Sequence, residues 1–239
     1  SVHTLDIDSG ERDPVAYPNP GDYVVELKNP IYNVSKISLV SARIHASQLL
    51  INDRNNTFSV NGTTISLPNE NYSGNELASE LLSKFQAAAA VPISTATYDK
   101  SKNDLTFGGT APFTFEFYGG NNGFNTGSEG LTTPHDILGL PASNVTSVNN
   151  TLTTGSINLQ GPDALVLKIS SGAEELNKTV YSDTPFYTGR ILMCGDVINY
   201  SGVDDTVEHT FESGSQNISK LRIQFFYSSN NRLIPYDFR

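Results

Sequence analysis

TFSVNGTTISLPNENYSGNELASELLSKFQAAAA, residues 57–90, decides the fold class, because it sets one sharp strand signal beside one sharp helix signal. Thr57–Val60 and Thr63–Leu67 are β-type runs joined by Asn61–Gly62. A two-residue connection needs positive φ at both positions, which Asn and Gly adopt readily, so the pattern predicts a type I′ hairpin. Ser73 stands three residues before Glu76, the arrangement in which each side chain satisfies the other's backbone N–H. Tyr72, just before the cap, is placed to staple onto Leu77, and Leu77, Leu81, Leu82 and Phe85 form a stripe at helical spacing. The spacing predicts a helix over Ser73–Ala90, ended by Pro92. It is the one long helix the sequence predicts.

Outward from that stretch the chain reads as strands. Upstream, the candidates are Val2–Asp8, Asp22–Leu27, Val34–His45 and Leu49–Asn52, with a proline-rich loop at residues 13–20. Val34–His45 carries apolar and polar residues on both faces, which predicts packing on each side or a bend midway. Downstream come Thr95–Asp99, Asp104–Phe107 and Phe113–Tyr118, where Phe113, Phe115 and Phe117 share one face. The Gly/Asn-rich run GGNNGFNTGSEG (residues 119–130) reads as a mobile loop. TPHDILGL reads as a short helical turn capped by Thr133, begun by Pro134 and stopped by Gly139. The polar run Ala142–Gly155 is the best linker candidate. Ala164–Ser170, Arg190–Cys194, Val197–Tyr200, Val207–Glu212 and Leu221–Tyr227 are further strands, and no solenoid or propeller repeat is present. About a dozen strands with one real helix point to an all-β, antiparallel jelly-roll sandwich. We read residues 1–239 as a single jelly-roll domain, with 53–141 as an inserted hairpin–helix–strand ornament.

Composition narrows the function classes. The net charge is −10 and no Lys/Arg cluster offsets it, so nucleic acid and anionic membrane surfaces are disfavoured partners. The apolar runs are too short to span a bilayer. SVHTLDIDSG lacks the basic start and apolar run of a signal peptide, so a soluble chain without direct membrane insertion is expected. Met193 is the only methionine, which suggests numbering that begins after a removed initiator ahead of Ser1. Cys194 is the only cysteine, so no intrachain disulfide forms, which fits a reducing compartment. It sits in the apolar run RILMCG and is read as an inert small hydrophobe. Asn33, Asn55, Asn61, Asn71, Asn144, Asn149, Asn177, Asn199 and Asn217 all begin N-x-S/T. In a chain this rich in Asn, Ser and Thr they are read as composition, and Asn61 as a turn residue.

The search for chemistry assigns no catalytic, cofactor-binding or metal-ligating residue, and no cofactor. His3, His45, His135 and His209 stand apart from one another, without the spacing of a metal pair. Asp6, Asp8, Glu11 and Asp13 lie close together, as do Asp196, Asp204, Asp205 and Glu208, but a solvated turn is the better reading than a calcium loop. No nucleophile elbow or phosphate-binding glycine loop occurs. The chain is therefore read as not an enzyme, while carboxylates meeting in space on a β scaffold would make a hydrolase.

LDIDSGERDPVAYPNPGDYVVELKNPIYNVSKISLVSARI (residues 5–44) carries a resemblance. It is similar to the start of capsid-associated proteins of nucleocytoplasmic large DNA viruses. In those, a D-S-x-x-R-D stretch (here Asp8, Ser9, Arg12, Asp13, preceded by Leu5 and Ile7) leads to Y-P-N-P-x-x-Y (here Tyr17, Pro18, Asn19, Pro20, Tyr23). LPNENYSGNELASELLSKF, TYDKSKNDLTF, a segment ending ILGL, and the closing LRIQFFYSSNNRLIPYDFR resemble the same group, so the likeness covers most of the chain. It implies a structural virion protein, a single jelly-roll penton at the icosahedral capsid vertices, located in the virion and assembled in the host cytoplasm. Its implied partners are itself, as a pentamer, and neighbouring major and minor capsid proteins. It implies no catalytic residue. The alternatives are another minor capsid protein, or a non-enzymatic adhesion or carbohydrate-binding jelly-roll module using loop residues Tyr118, Asn121, Asn122 and Phe124.

Overall fold

Asparagine turns the corners of this chain. The structure is a computed structural model that describes residues 1–124, 130–172, 174–176, 187–202, 206–212 and 214–239. Among the described residues, every non-glycine position with positive φ is an Asn: 33, 61, 103, 149, 150, 230 and 231. Its short amide lowers the cost of the left-handed region by bonding locally. Asn61–Gly62 closes the predicted two-residue hairpin, with Val60 opposite Thr63. Asn149–Asn150, between Val148 and Thr151, and Asn230–Asn231, between Ser229 and Arg232, close two more.

In chain order the elements begin with a 3-10 turn at Ser9–Glu11 and strands β1 (Asp22–Val34), β2 (Lys36–Ser38), β3 (Ala42–His45), β4 (Thr57–Val60) and β5 (Thr63–Ser66). Helix α1 (Gly74–Ala87) follows, then β6 (Ile93–Asp99), β7 (Asp104–Gly109), β8 (Thr114–Glu116), β9 (Val145–Thr146) and β10 (Thr151–Thr153). The last are β11 (Ala164–Ser171), β12 (Glu174–Glu175), β13 (Gly189–Leu192), β14 (Val197–Tyr200), β15 (Glu208–Thr210), β16 (Gln216–Ser229) and β17 (Arg232–Pro235). The described pairings are antiparallel, so the class is the expected one: all-β with one substantial helix, consistent with a jelly roll.

Two compact units form, Ser1–Gln48 with Pro162–Arg239, and Leu49–Gly161. In the first, β16 pairs with β1, β11 and β17, while β12 and β13 pair with β11. Alternation sends Tyr23, Leu165, Leu167, Ile191, Ile223, Tyr227 and Ile234 to one buried face. Separate two-stranded pairs, β3 with β14 and β2 with β15, complete the unit's described strands.

The second unit is built on phenylalanine. Phe115 of β8 lies 5.5 Å from Phe58 of β4, 5.7 Å from Phe85 of α1 and 5.2 Å from Phe107 of β7. The shared face of Phe113, Phe115 and Phe117 is confirmed, since none is more than 1% exposed. The helix docks on this cluster through Leu77, Ala78, Leu81 and Phe85, all buried. Both halves of the capping box form: Ser73 N donates to Glu76 Oε2 at 2.8 Å, and Glu76 N to Ser73 Oγ at 3.4 Å. Gly74 is required at the first helical position, because a Cβ there would lie 2.5 Å from the Tyr98 ring.

Several local expectations are corrected. Val2–Asp8 forms no strand: its alternation found no partner, and Asp8 instead caps the 3-10 turn. Leu49–Asn52 is likewise not a strand. Val34–His45 takes the second of its two expected forms and bends midway, because β2 goes to β15 while β3 goes to β14. The proposed linker Ala142–Gly155 is structured, with β9 on β8 and β10 on β7. Its threonines form cross-strand hydroxyl pairs, Thr114 with Thr146 at 2.9 Å and Thr106 with Thr153 at 3.0 Å. TPHDILGL, by contrast, forms the short turn expected of it, Leu138 N to Pro134 O at 3.0 Å, ended by Gly139 at φ 64. Cys194 lies just past β13 and is exposed, not buried in a strand.

Leu81→Ala is expected to destabilise the second unit by about 2–5 kcal/mol, and Ser73→Ala by about 1 kcal/mol, in urea unfolding followed by tyrosine fluorescence. Unchanged midpoints for both variants would mean that the helix does not bury this face.

Tyr72 adds a pH dependence. Burial first, then Glu80 and Glu70, pushes its phenol up to about 12, and its O–H donates to Pro68 O at 2.9 Å. A folded pKa above the unfolded 10.0 gives stability that is complete below pH 10 and lost as pH rises through about 12. Tyr72→Phe should cost about 1 kcal/mol at pH 7 through the lost hydrogen bond. The gap to the parent protein should narrow above pH 10 when unfolding free energy is followed against pH; a constant gap refutes the assignment.

Candidate functional site

Residues 8–22 form a loop that is held from inside by one arginine. Local carboxylate and amide chemistry starts it: Asp8 Oδ1 accepts from Gly10 N at 2.8 Å, and Asp13 Oδ1 accepts from Val15 N at 2.8 Å and Ala16 N at 3.2 Å. Asn19 Oδ1 accepts from Gly21 N at 2.8 Å, just ahead of β1. Arg12 then ties the two arms of the loop together. Its Nη1 donates to Ser9 O at 2.8 Å, Nε to Tyr17 O at 2.8 Å and Nη2 to Pro18 O at 3.0 Å. A planar guanidinium offers donors in fixed directions, which is what three separate carbonyls require.

The loop is anchored to the first unit by Ile7 and Tyr17, which pack on its core. A Cβ on Gly21 would come within 3.0 Å of the Phe238 ring and 3.1 Å of Tyr236 O, so any larger residue there would press on both neighbours. Tyr23 follows on β1, buried, its phenol pushed up by burial and secondarily by Asp8. At the far end Asp22 takes a bidentate pair from Arg222 of β16, both bonds at 2.9 Å. The tip is left outward: Val15 is 90% exposed. A stiff loop showing an apolar residue is suited to contact with another protein.

Among the described residues the remaining candidates do not converge. His3 and His45 are exposed, and His209 lies edge-on to Phe211 at 4.9 Å. His135 is 1% exposed, edge-on to Phe124 at 4.6 Å, with Nδ1 3.0 Å from Thr133 Oγ1 and Nε2 3.1 Å from Asp136 Oδ1. It is a packed core residue. Of the acidic groups, Asp8 and Asp13 bond backbone N–H groups as described above, and Glu208 pairs with Lys36 at 2.6 Å. Asp204, Asp205, Asn177 and residues 125–129 lie outside the described residues. Among the loop residues considered for sugar binding, Phe124 is buried and Asn122 Nδ2 is bonded to Ser59 and Thr64, whereas Tyr118 is 53% exposed. A polar cleft of about 410 Å³ runs beside the start of α1, lined by Glu70, Asn71, Tyr72, Asn75, Glu76, Ser79 and Glu80. Among the described residues no helix is long and apolar enough to cross a membrane.

Residues 2–207 match the family described as a family of unknown function (DUF5901). No curated protein matches the chain. Among solved structures, the crystal structure of selenomethionine-labelled mavirus penton protein is similar over 91% of this chain and 93% of that one, at 9% identity and a TM-score of 0.38.

Arg12→Lys should release the loop, because an ammonium cannot serve three carbonyls in the geometry of the fork. The expected cost is about 1.5–3 kcal/mol, within the range for hydrogen bonds to a charged group. Amide exchange should accelerate at Val15, Ala16, Tyr17 and Gly21 while α1 stays protected. Uniform protection in the variant would show that Arg12 does not hold the loop.

Proposed function

We propose a capsid role for this chain, which belongs to the family of unknown function DUF5901. It is a non-enzymatic structural subunit of a virus shell. In its finer form the reading is a single jelly-roll penton, five copies around an icosahedral vertex of a large DNA virus. The observation that carries it is the Arg12 loop. The residues of the D-S-x-x-R-D and Y-P-N-P pattern, on which the resemblance to capsid-associated proteins rests, are those whose side chains and carbonyls build that loop. The pattern is thus a specified surface element that supports docking and not chemistry.

A net charge of −10 supports assembly through protein–protein contacts, with other copies and with neighbouring major and minor capsid proteins, over contact with packaged nucleic acid. The location that goes with this is the virion, after assembly in the host cytoplasm. The domain reading is one jelly roll over residues 1–239 that carries residues 53–141 as an insert. Two facts support it: Leu49–Gly161 has its own core, and the first unit draws on chain from both sides of that stretch.

The test is a reconstruction of the native particle at side-chain resolution. This chain should appear at the fivefold vertices. Finding it elsewhere in the shell refutes the penton form, and its absence from the particle removes the capsid reading.

A further inference from the structure

The Asn61–Gly62 turn is also a reactive pair. In an Asn-Gly sequence the glycine nitrogen can attack the asparagine side-chain carbon, because no Cβ on the glycine blocks the approach. Both residues are exposed, and nothing lies within 4 Å of where a Gly62 Cβ would stand. Water reaches the pair, and packing does not restrain it. The chain's second Asn-Gly pair, Asn122–Gly123, is different: its glycine is buried, and a Cβ there would strike the Gly119 backbone. At Asn61 only hydrogen bonds stand between the turn and the reaction.

Strand β8 and the residues leading into it hold both reacting groups. Asn61 Oδ1 accepts from Thr114 N at 2.9 Å, and Asn61 Nδ2 donates to Pro112 O at 3.3 Å. The main-chain N of Asn61 donates to Thr114 O at 3.2 Å. The side-chain amide thus extends the β4–β8 ladder by one rung, with both of its polar atoms committed. On the side of the nucleophile, Gly62 N donates to Glu116 Oε2 at 3.0 Å. Attack requires this N–H to lose its proton, and a carboxylate at hydrogen-bond distance opposes the anion that would form. β8 is itself fixed between β4 and β9, with Phe115 opposite Val60 on one side and Val145 on the other.

We propose that Asn61 is a latent deamidation site, held closed by Pro112, Thr114 and Glu116 and opened only when β8 leaves the hairpin. Once freed, the deprotonated Gly62 nitrogen bonds to Asn61 Cγ, the Cγ–Nδ2 bond breaks, and Nδ2 takes up a proton and departs as ammonia. The resulting succinimide adds water at one of its two carbonyls, which leaves aspartate or isoaspartate at position 61. Neither product rebuilds the turn. Aspartate turns a carboxylate oxygen towards Pro112 O, where the amide had a donor. Isoaspartate adds a backbone carbon between Val60 and Thr63, and a two-residue connection cannot absorb it and keep its register. Conversion is therefore one-way: it marks a chain whose β8 has opened and prevents the hairpin from closing as before. This chemistry does not depend on the capsid reading.

The experiment is incubation of the full chain at mildly alkaline pH, in native buffer and in guanidinium chloride at the same pH and temperature. Tandem mass spectrometry places the new acid at residue 61, and labelling by isoaspartyl methyltransferase separates isoaspartate from aspartate. The native chain should convert at least about tenfold more slowly than the unfolded one, because a reaction of the open form proceeds only in proportion to its population. Glu116→Ala frees the Gly62 N–H and should speed conversion in native buffer, with the far-UV spectrum of the folded chain retained and the rate in guanidinium unchanged. Glu116→Gln keeps an acceptor but drops the charge, so its native rate should fall between those of the parent and Glu116→Ala. A native parent that converts as fast as the unfolded chain overturns the proposal, since the site is then not closed. Folded Glu116 variants that convert at the parent's rate or more slowly also overturn it; slower conversion would make Glu116 a base that promotes the attack.

Discussion

A strand is stable only when another strand satisfies its backbone polar groups, and in this chain the first strand finds its partner in the last long one. Asp22 of β1 lies opposite Gln224 of β16, a separation of 202 residues, and the pair is locked by Arg222 and Gln224 on the Asp22 carboxylate. Once that pairing is made, the chain after β1 leaves the sheet, and it has already returned to it as β11, β12 and β13 before β16 closes the pairing. Leu49–Gly161 falls within that excursion as a contiguous unit with its own phenylalanine core, so its folding relies on comparatively local contacts. The first unit, assembled from both ends of the chain, depends on non-local pairing, which closes slowly because loop entropy is lost before the ladder forms.

The same constraint explains the composition. Seventeen strands among the described residues need many reversals, and the described ones with positive φ fall on Asn and Gly. Asn33, Asn61 and Asn149, each the first residue of an N-x-S/T triplet, have positive φ, so their abundance reflects backbone geometry at those sites. The Thr-rich stretch before residue 155 pairs hydroxyl to hydroxyl across strands, which is how a polar sequence that reads as a linker forms ordered structure.

The candidate site was legible in part. Asp8, Arg12, Asp13, Tyr17 and Asn19 could be picked out as a pattern, yet nothing in their order says that Arg12 reaches forward to the carbonyls of Tyr17 and Pro18. A guanidinium five residues from its acceptor has many partners open to it until the loop closes. Val2–Asp8 shows the converse. Its alternation is genuine strand chemistry, but alternation specifies a face and not a partner, and none exists for it within the described residues of its own chain. The Asn149–Asn150 and Asn230–Asn231 turns were missed for a simpler reason: Asn-Asn is a weaker hairpin signal than Asn-Gly, because only glycine adopts positive φ without steric cost.

By itself the sequence determined the elements whose causes lie within about four residues of one another: the Asn61–Gly62 turn, the Ser73–Glu76 capping box, the stripe from Leu77 to Phe85, and the common face of Phe113, Phe115 and Phe117. Only the tertiary structure decided which strands pair. It sent β2 and β3 to different partners, made β9 and β10 strands, left Cys194 exposed, and set Lys168, Arg190, Lys220 and Arg222 on one outward face. The physical reason is that a side chain's torsional and capping preferences act through its neighbours in the chain. A ladder partner brings its own side chains from far away in sequence, and those neighbours exist only once the loop between them has closed.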